Sequence, residues 1–114
     1  MDKASAGRAC LNAARRYLAA MSEKQVFTTE QARTAGEQIG IDWASSRFDV
    51  EQFRMGMDVE LEHGTHDPET NVTNDDVVTT AKIARAHLKE FPDYYTRLDA
   101  METEAEAYWA EHTD

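Results

Sequence analysis

Hydrophobic positions along most of the chain recur every three or four residues, which is the spacing of an amphipathic helix. One series is Val50, Phe53, Met57 and Leu61, with Gly64 as a stop signal. Two further series are Val77, Ala81, Ala84, Leu88 and Phe91, and Tyr94, Leu98, Met101, Ala105 and Tyr108. No run alternates apolar and polar residues as a half-buried strand would. The pattern predicts an all-α fold, a compact single-domain bundle of about five helices.

Capping signals place the helix boundaries. A Ser, Thr, Asp or Asn followed three residues later by an acid or a glutamine is typical of a helix start. Three such pairs occur, Thr28 with Gln31, Asp49 with Gln52, and Thr73 with Asp76. They predict helices over about 29–39, over 50 to Gly64, and from 74 onward. Pro92 interrupts the pattern and predicts a last helix over about 93–110.

Several apolar residues fall outside these stripes. Ile41, Trp43 and Phe48 lie in a short connection, and we expect them to pack onto the core because exposing three large side chains is unfavourable. Met55 and Val59 give the 50–64 helix a second apolar side. A helix that is apolar on two sides is central or covered by a partner, so a homodimer is one interpretation.

Other features of the sequence exclude several classes of protein. The alanine-rich segment 4–22 predicts an additional N-terminal helix in the one domain, 1–114. One cysteine neither closes an internal disulfide nor builds a cysteine-based zinc site. No apolar run approaches the roughly 20 residues of a membrane-spanning helix, and no signal peptide is evident. We therefore expect a cytoplasmic protein without membrane contact.

Charge is concentrated in the second half of the chain. Residues 1–54 carry eight Lys or Arg against seven acids, whereas residues 55–114 carry four against fifteen. From Asp99 to Asp114 there are six acids and no Lys or Arg, so the segment 104–114 is an acidic helix end. Such a surface repels a phosphate backbone and argues against nucleic-acid binding. It suits a cationic partner, or simply keeps the protein soluble. Mimicry of DNA charge fits less well, given the basic residues of the first half.

Two short motifs carry possible metal chemistry. A carboxylate and an imidazole three residues apart on a helix face the same way and can share a metal ion, as in di-iron bundles. The candidates are Glu60, Glu62, His63, His87 and Glu90. Both motifs border the apolar stripes, so we expect the side chains to be half-buried at best. In a simple antiparallel hairpin the two motifs would lie at opposite ends, and only a long return through residues 64–73 that makes the two helices roughly parallel would bring them together. The alternative to a metal site is that His63 caps a helix end and His87 is a hydrogen-bonded edge residue.

The chain resembles a small family of uncharacterised helical proteins, a domain of unknown function met in bacteria and phages. The resemblance covers about residues 26–103 and rests mainly on two blocks, Glu-Leu-Glu-His-Gly ending at Gly64 and His-Leu-Lys-Glu-x-Pro-Asp-Tyr-Tyr beginning at His87. It implies an intracellular or virus-encoded accessory protein and supplies no activity, cofactor or catalytic residue.

Because no nucleophile elbow, phosphate loop or dinucleotide glycine pattern occurs, a non-enzymatic protein that binds another macromolecule is the leading hypothesis. The partner would be a protein or a second copy, contacting the acidic last helix or the 50–64 helix. No cofactor is then expected. The alternative is a metal-binding bundle that holds a divalent ion on the motifs at 60–63 and 87–90.

Overall fold

The computed structural model describes residues 25–112. They form four α-helices, α1 (Thr29–Gln38), α2 (Val50–Glu60), α3 (Val77–Glu90) and α4 (Tyr94–Glu111), with a single 3₁₀ turn, Leu61–His63, after α2. These residues contain no strand, which confirms the all-α prediction with four helices rather than about five. The predicted helix at 4–22 lies outside the described residues.

Helix α1 begins at the predicted capping box. The Thr28 side chain accepts a hydrogen bond from the backbone amide of Gln31, and the Gln31 side chain accepts one from Thr28. At the other end, Gly40 takes a φ of +90°, a left-handed conformation that favours glycine. The guanidinium of Arg85 from α3 donates to the carbonyl of Ile39 at 2.6 Å, so a second helix satisfies a backbone acceptor at the end of α1.

The other two predicted capping boxes are wrong in part or in full. The Asp49 side chain accepts from the Gln52 amide, but the Gln52 side chain bonds Thr96 instead of completing the box. Helix α3 is capped by Asp76, whose carboxylate accepts from the amide of Thr79. Thr73 is buried in the preceding turn and does not begin the helix. Asp76, three residues after Thr73, is therefore the N-cap of α3 itself and not the third residue of a helix capped by Thr73.

The unit formed by Val26–Thr96 has α2 at its centre, in contact with both α1 and α3. Ile41 is buried, and Trp43 and Phe48 are half-buried against Phe53, so the connection packs as predicted. The Trp43 ring lies directly on Gly36, where a Cβ would overlap it. The core comprises Phe27, Ala32, Ala35, Ile41, Phe53, Met57, Ala81, Ala84, Leu88 and Tyr95.

The ends of the α3 stripe are exposed, contrary to the prediction. Val77 and Phe91 keep 44% and 46% of their surface accessible, whereas Ala81, Ala84 and Leu88 are buried. Each of the two outer residues lies at a terminus of α3, since Val77 is its first residue and Phe91 its C-cap. Met55 and Val59, the second apolar side of α2, are half-buried.

In helix α4, the apolar side that was predicted to be buried faces outward. From Arg97 on, α4 belongs to a second compact unit, whose described residues include 97–112. Met101 and Tyr108 keep 57% and 52% of their surface accessible there, and Ala105 is also exposed. The half-buried positions instead include Glu102 and Glu106. The prediction assumed that the apolar stripe is the buried one, and here Glu102 and Glu106 are less exposed than Met101 and Tyr108. No helix among the described residues is both long and apolar enough to cross a membrane.

Candidate functional site

The candidate site is centred on a buried carboxylate, Glu60. It is the last residue of α2 and keeps only 4% of its surface exposed. The 3₁₀ turn follows directly and places His63 one turn further along the chain. A carboxylate at this position needs partners from other elements, because burying an uncompensated charge is costly.

Three side chains surround the Glu60 carboxylate. The Tyr95 hydroxyl, from the first turn of α4, donates to Oε2 at 2.7 Å. The Nε2 atom of His87, from the last turn of α3, lies 3.8 Å from the same oxygen. The Nε2 atom of His63 lies 4.0 Å from Oε1. Each carboxylate oxygen therefore has one imidazole beside it.

Tyr95 is held as a neutral hydrogen-bond donor. Burial and the negative charge of Glu60 raise the pKa of its phenol far above the usual range. Its ring packs against Gly56, one turn before Glu60, where a Cβ would overlap the ring carbons. A glycine in the middle of α2 is thus required for the close approach of the tyrosine.

His87 packs against the two tyrosines at the start of α4. Its imidazole stacks on Tyr94 with the ring centroids 4.5 Å apart, and it meets Tyr95 edge-on at 6.2 Å. Its Nδ1 atom is buried and has no hydrogen-bond partner among residues 25–112. A buried, unpaired ring nitrogen is unusual, and the imidazole keeps one-third of its side-chain surface exposed.

The loop from Gly64 to Asp76 holds His63 in place from the opposite side. The amides of Val72 and Thr73 both donate to the His63 carbonyl, at 2.7 and 3.2 Å. Asp75 accepts from the backbone and hydroxyl of Thr65, which lowers the pKa of its carboxyl. Asn74 and Asp75 both take left-handed φ values, +51° and +63°. These contacts bring the chain back to the end of the 3₁₀ turn.

The structure brings together three of the five predicted site residues. Glu60, His63 and His87 meet, which an antiparallel hairpin with the motifs at opposite ends would have prevented. Glu62 and Glu90 are exposed and do not join them. The expectation that both motifs would be half-buried at best is wrong for Glu60. Within residues 25–112, no group of three or more His, Cys, Asp or Glu side chains is placed so that it could hold a metal ion.

The predicted set omitted Tyr95. The signal that could have found it is the paired tyrosine block four residues after the second motif, combined with the need of any buried glutamate for a donor. Nothing local in the sequence shows that Glu60 is buried, because it borders the apolar stripe of α2 rather than lying in it.

A second feature is the exposed side of α4. Trp109 and Tyr108 keep 62% and 52% of their surface accessible and lie edge to face, 5.1 Å apart. The imidazole of His112 stacks on the Tyr108 ring, with the ring centroids 4.1 Å apart. The same helix carries Asp99, Glu102, Glu104, Glu106 and Glu111, and no Lys or Arg after Arg97.

The family model described as "Protein of unknown function (DUF5661)" matches residues 32–104, so the chain belongs to that family. This confirms the resemblance to a domain of unknown function. A search of curated proteins and a search of solved structures each gave no match.

Proposed function

We propose that this protein is a non-enzymatic binding protein whose last helix contacts a basic segment of a protein partner. The observation that carries the proposal is the exposed Tyr108–Trp109 pair on a helix rich in carboxylates. Large exposed aromatic side chains are enriched at the centres of protein interfaces, where tryptophan and tyrosine contribute most of the binding energy.

Four exposed apolar residues of α4 lie on one side of the helix. We call this surface the Trp109 face, and it consists of Met101, Ala105, Tyr108 and Trp109. Met101 and Tyr108 are seven residues apart and so lie on the same side of the helix, with Ala105 between them. All four side chains are exposed. A patch that is apolar, periodic and uncovered marks an interaction surface more often than a solubilising one.

The exposed carboxylates of α4 favour a partner with basic side chains. Glu104 and Glu111 are exposed and lie along one edge of the Trp109 face, by the 100° rotation of each helical residue. Lysine or arginine side chains of a partner would pair with these carboxylates, and a cation above the Trp109 ring gains a further favourable interaction. The same charges disfavour a nucleic acid.

A half-buried acid borders the Trp109 face, because Glu102 lies seven residues before Trp109 and so on the same side of the helix. Burial raises the pKa of the Glu102 carboxyl, whereas the apolar side chains of the Trp109 face stay exposed. A helix whose apolar face remains exposed in the isolated chain is suited to bury it in a complex.

Site-specific photo-crosslinking tests the proposal. A photoreactive residue replacing Ala105, which leaves Tyr108 and Trp109 in place, should capture peptides with net positive charge, identified by mass spectrometry from the cells in which the protein is native. The matched control places the same residue at Thr34, an exposed position on α1. Equal capture at both positions, or captured peptides without a positive bias, would contradict the proposal.

A further inference from the structure

We propose that residues 1–24 of the same chain bind along one side of α4, where arginines of that segment pair with three half-buried carboxylates. The three are Asp99, Glu102 and Glu106, and we call this surface the Glu102 side. Asp99 and Glu106 are seven residues apart with Glu102 between them, so all three share one side of the helix, which meets the Trp109 face at Glu102. The inference does not rest on the proposed function of the Trp109 face.

The Glu102 side is half-buried, and the residues that cover it lie outside the described helix contacts. Its three carboxylates are less exposed than Met101 and Tyr108 of the same helix. Among residues 25–112, the extensive helix contacts join α1, α2 and α3, whereas α4 belongs to the other compact unit from Arg97 on. We therefore look for the covering segment in the chain outside residues 25–112.

The carboxylates of the Glu102 side need a cation. Burial raises the pKa of the Glu102 carboxyl, because a desolvated charge is unfavourable. None of the three carboxylates forms an ion pair with another residue of 25–112. Arginine suits such a site best, since its guanidinium donates two parallel hydrogen bonds to one carboxylate and is weakly hydrated.

The segment 1–24 supplies that charge on an apolar stripe. It carries five Lys or Arg against two acids. On the predicted N-terminal helix, Arg8, Leu11, Arg15 and Leu18 follow one another at spacings of three, four and three residues, so they lie along one side. This side presents guanidinium groups to the carboxylates of α4 and places leucines beside the half-buried apolar residue next to them, Leu98.

The length of the segment and the place where it ends agree with this docking. Gln25, the first described residue, belongs to the same compact unit as α4 from Arg97 on. A helix over 4–22 extends about 28 Å, enough to run beside the roughly 22 Å of α4 from Arg97 to Glu111. With the segment bound, the exposed Glu104 and Glu111 are left to contact a partner at the Trp109 face.

The single cysteine of the chain, Cys10, allows a test in the full-length protein. Cys10 directly precedes Leu11 and so lies about 100° away around the predicted helix, where a nitroxide does not interrupt the contact. We expect this nitroxide to broaden the amide NMR signals of residues 99–107, which should lose most of their intensity relative to the reduced label. A mixture of spin-labelled chains with separate isotope-labelled chains should show no loss.

Charge variants of the labelled chain test the pairing. Arg8→Glu with Arg15→Glu should restore the signals of residues 99–107. Adding Asp99→Arg with Glu106→Arg should broaden them again, which also shows that the first variant did not simply unfold. Arg33→Glu with Arg47→Glu is the matched control, because it makes the same charge change at exposed arginines of the other unit and should leave the broadening unchanged.

Four results would overturn the docking: full signal intensity in the labelled chain, broadening that survives Arg8→Glu with Arg15→Glu, equal loss of broadening in the control, or no recovery in the charge-swapped chain. Broadening between separate chains would assign the contact to a second copy and also contradict the proposal. Trp109→Ala should leave the broadening unchanged, and the Arg8 and Arg15 variant should still bind a lysine-rich peptide. Each of the two proposals can therefore fail without the other.

Discussion

The Tyr95 hydroxyl donates a 2.7 Å hydrogen bond to Glu60 Oε2 and so joins the first turn of α4 to the last residue of α2. Both residues are nearly inaccessible, at 2% and 4% exposure. With His87 beside the same oxygen, the contact links three helices through one carboxylate. The carboxylate therefore contributes to the fold as well as to the candidate site.

Removing the Tyr95 hydroxyl should destabilise the protein. Tyr95→Phe keeps the ring but leaves a buried carboxylate without its donor, and we expect the free energy of unfolding to fall by about 1–3 kcal/mol. Urea denaturation measures the change. Tyr108→Phe is the control, because that tyrosine is exposed, and it should have little effect. Equal losses in the two variants would show that the Tyr95–Glu60 hydrogen bond is not important for stability.

Gly56→Ala should also be costly, since the added methyl group would overlap the Tyr95 ring. Helix propensity alone favours alanine over glycine by nearly 1 kcal/mol, so a stabilising substitution would be expected from the helix by itself. We expect instead a net loss of about 1–3 kcal/mol, typical of overpacking. In a Tyr95→Leu background the same substitution should cost less. A gain in stability in the unsubstituted background would disprove the close packing.

Arg85 should stabilise the end of α1. Its guanidinium donates to the Ile39 carbonyl, and replacing it by methionine should lower the free energy of unfolding by about 1.5–3 kcal/mol, the range for a hydrogen bond to a charged group. Lys89→Met provides the comparison, because it removes the same charge from an exposed position on the same helix. Thermal unfolding of the two variants distinguishes the specific contact from a general effect of charge. A general effect would lower the melting temperatures of both variants equally, which would contradict the role of the Arg85–Ile39 hydrogen bond.

Acid should destabilise the protein through Asp75 and Asp76. Hydrogen bonds from Thr65 and Thr79, respectively, lower the pKa values of these carboxyls below 3.8 in the folded state. Their stabilising contribution is present above that pH and is lost as the pH falls through the lowered values. Asp75→Asn with Asp76→Asn should therefore flatten the decline in melting temperature below about pH 4.

Asp58 should act in the opposite direction and serves as the control. Burial raises the pKa of its carboxyl despite hydrogen bonds from the amides of Val26 and Phe27 and the ion pair with Arg54. Its protonation on acidification favours the folded state, so Asp58→Asn should steepen the acid decline rather than flatten it. An unchanged profile in the Asp75 and Asp76 variant would contradict the assignment.

Local features of the sequence predicted the fold well. The capping box at Thr28 and the stripe from Ala81 to Leu88 depend on neighbours within four residues, and both are found in the structure. The burial of Glu60 and the outward turn of Met101 and Tyr108 depend on which element covers each face. Periodicity does not report that, because it identifies an apolar side of a helix without showing whether anything packs against it.

The same limit applies to the candidate site. Spacing indicated that Glu60 and His63 share a side, but the approach of His87 depends on the path of residues 64–76. That path is fixed by the Thr65–Asp75 contacts and by two left-handed residues, Asn74 and Asp75. Such loop geometry depends on tertiary hydrogen bonds rather than on a sequence period.

The proposal that the Trp109 face binds a basic partner is tested most directly by the affinity of the chain for a lysine-rich peptide, measured at low and at physiological salt. We expect Trp109→Ala, and separately Glu104→Gln with Glu111→Gln, to weaken binding by about tenfold or more, since each removes a principal contact. Glu30→Gln with Glu37→Gln makes the same charge change on α1 and should have little effect. Equal affinity in all variants, or equal weakening by the α1 pair, would contradict a specific site on the last helix.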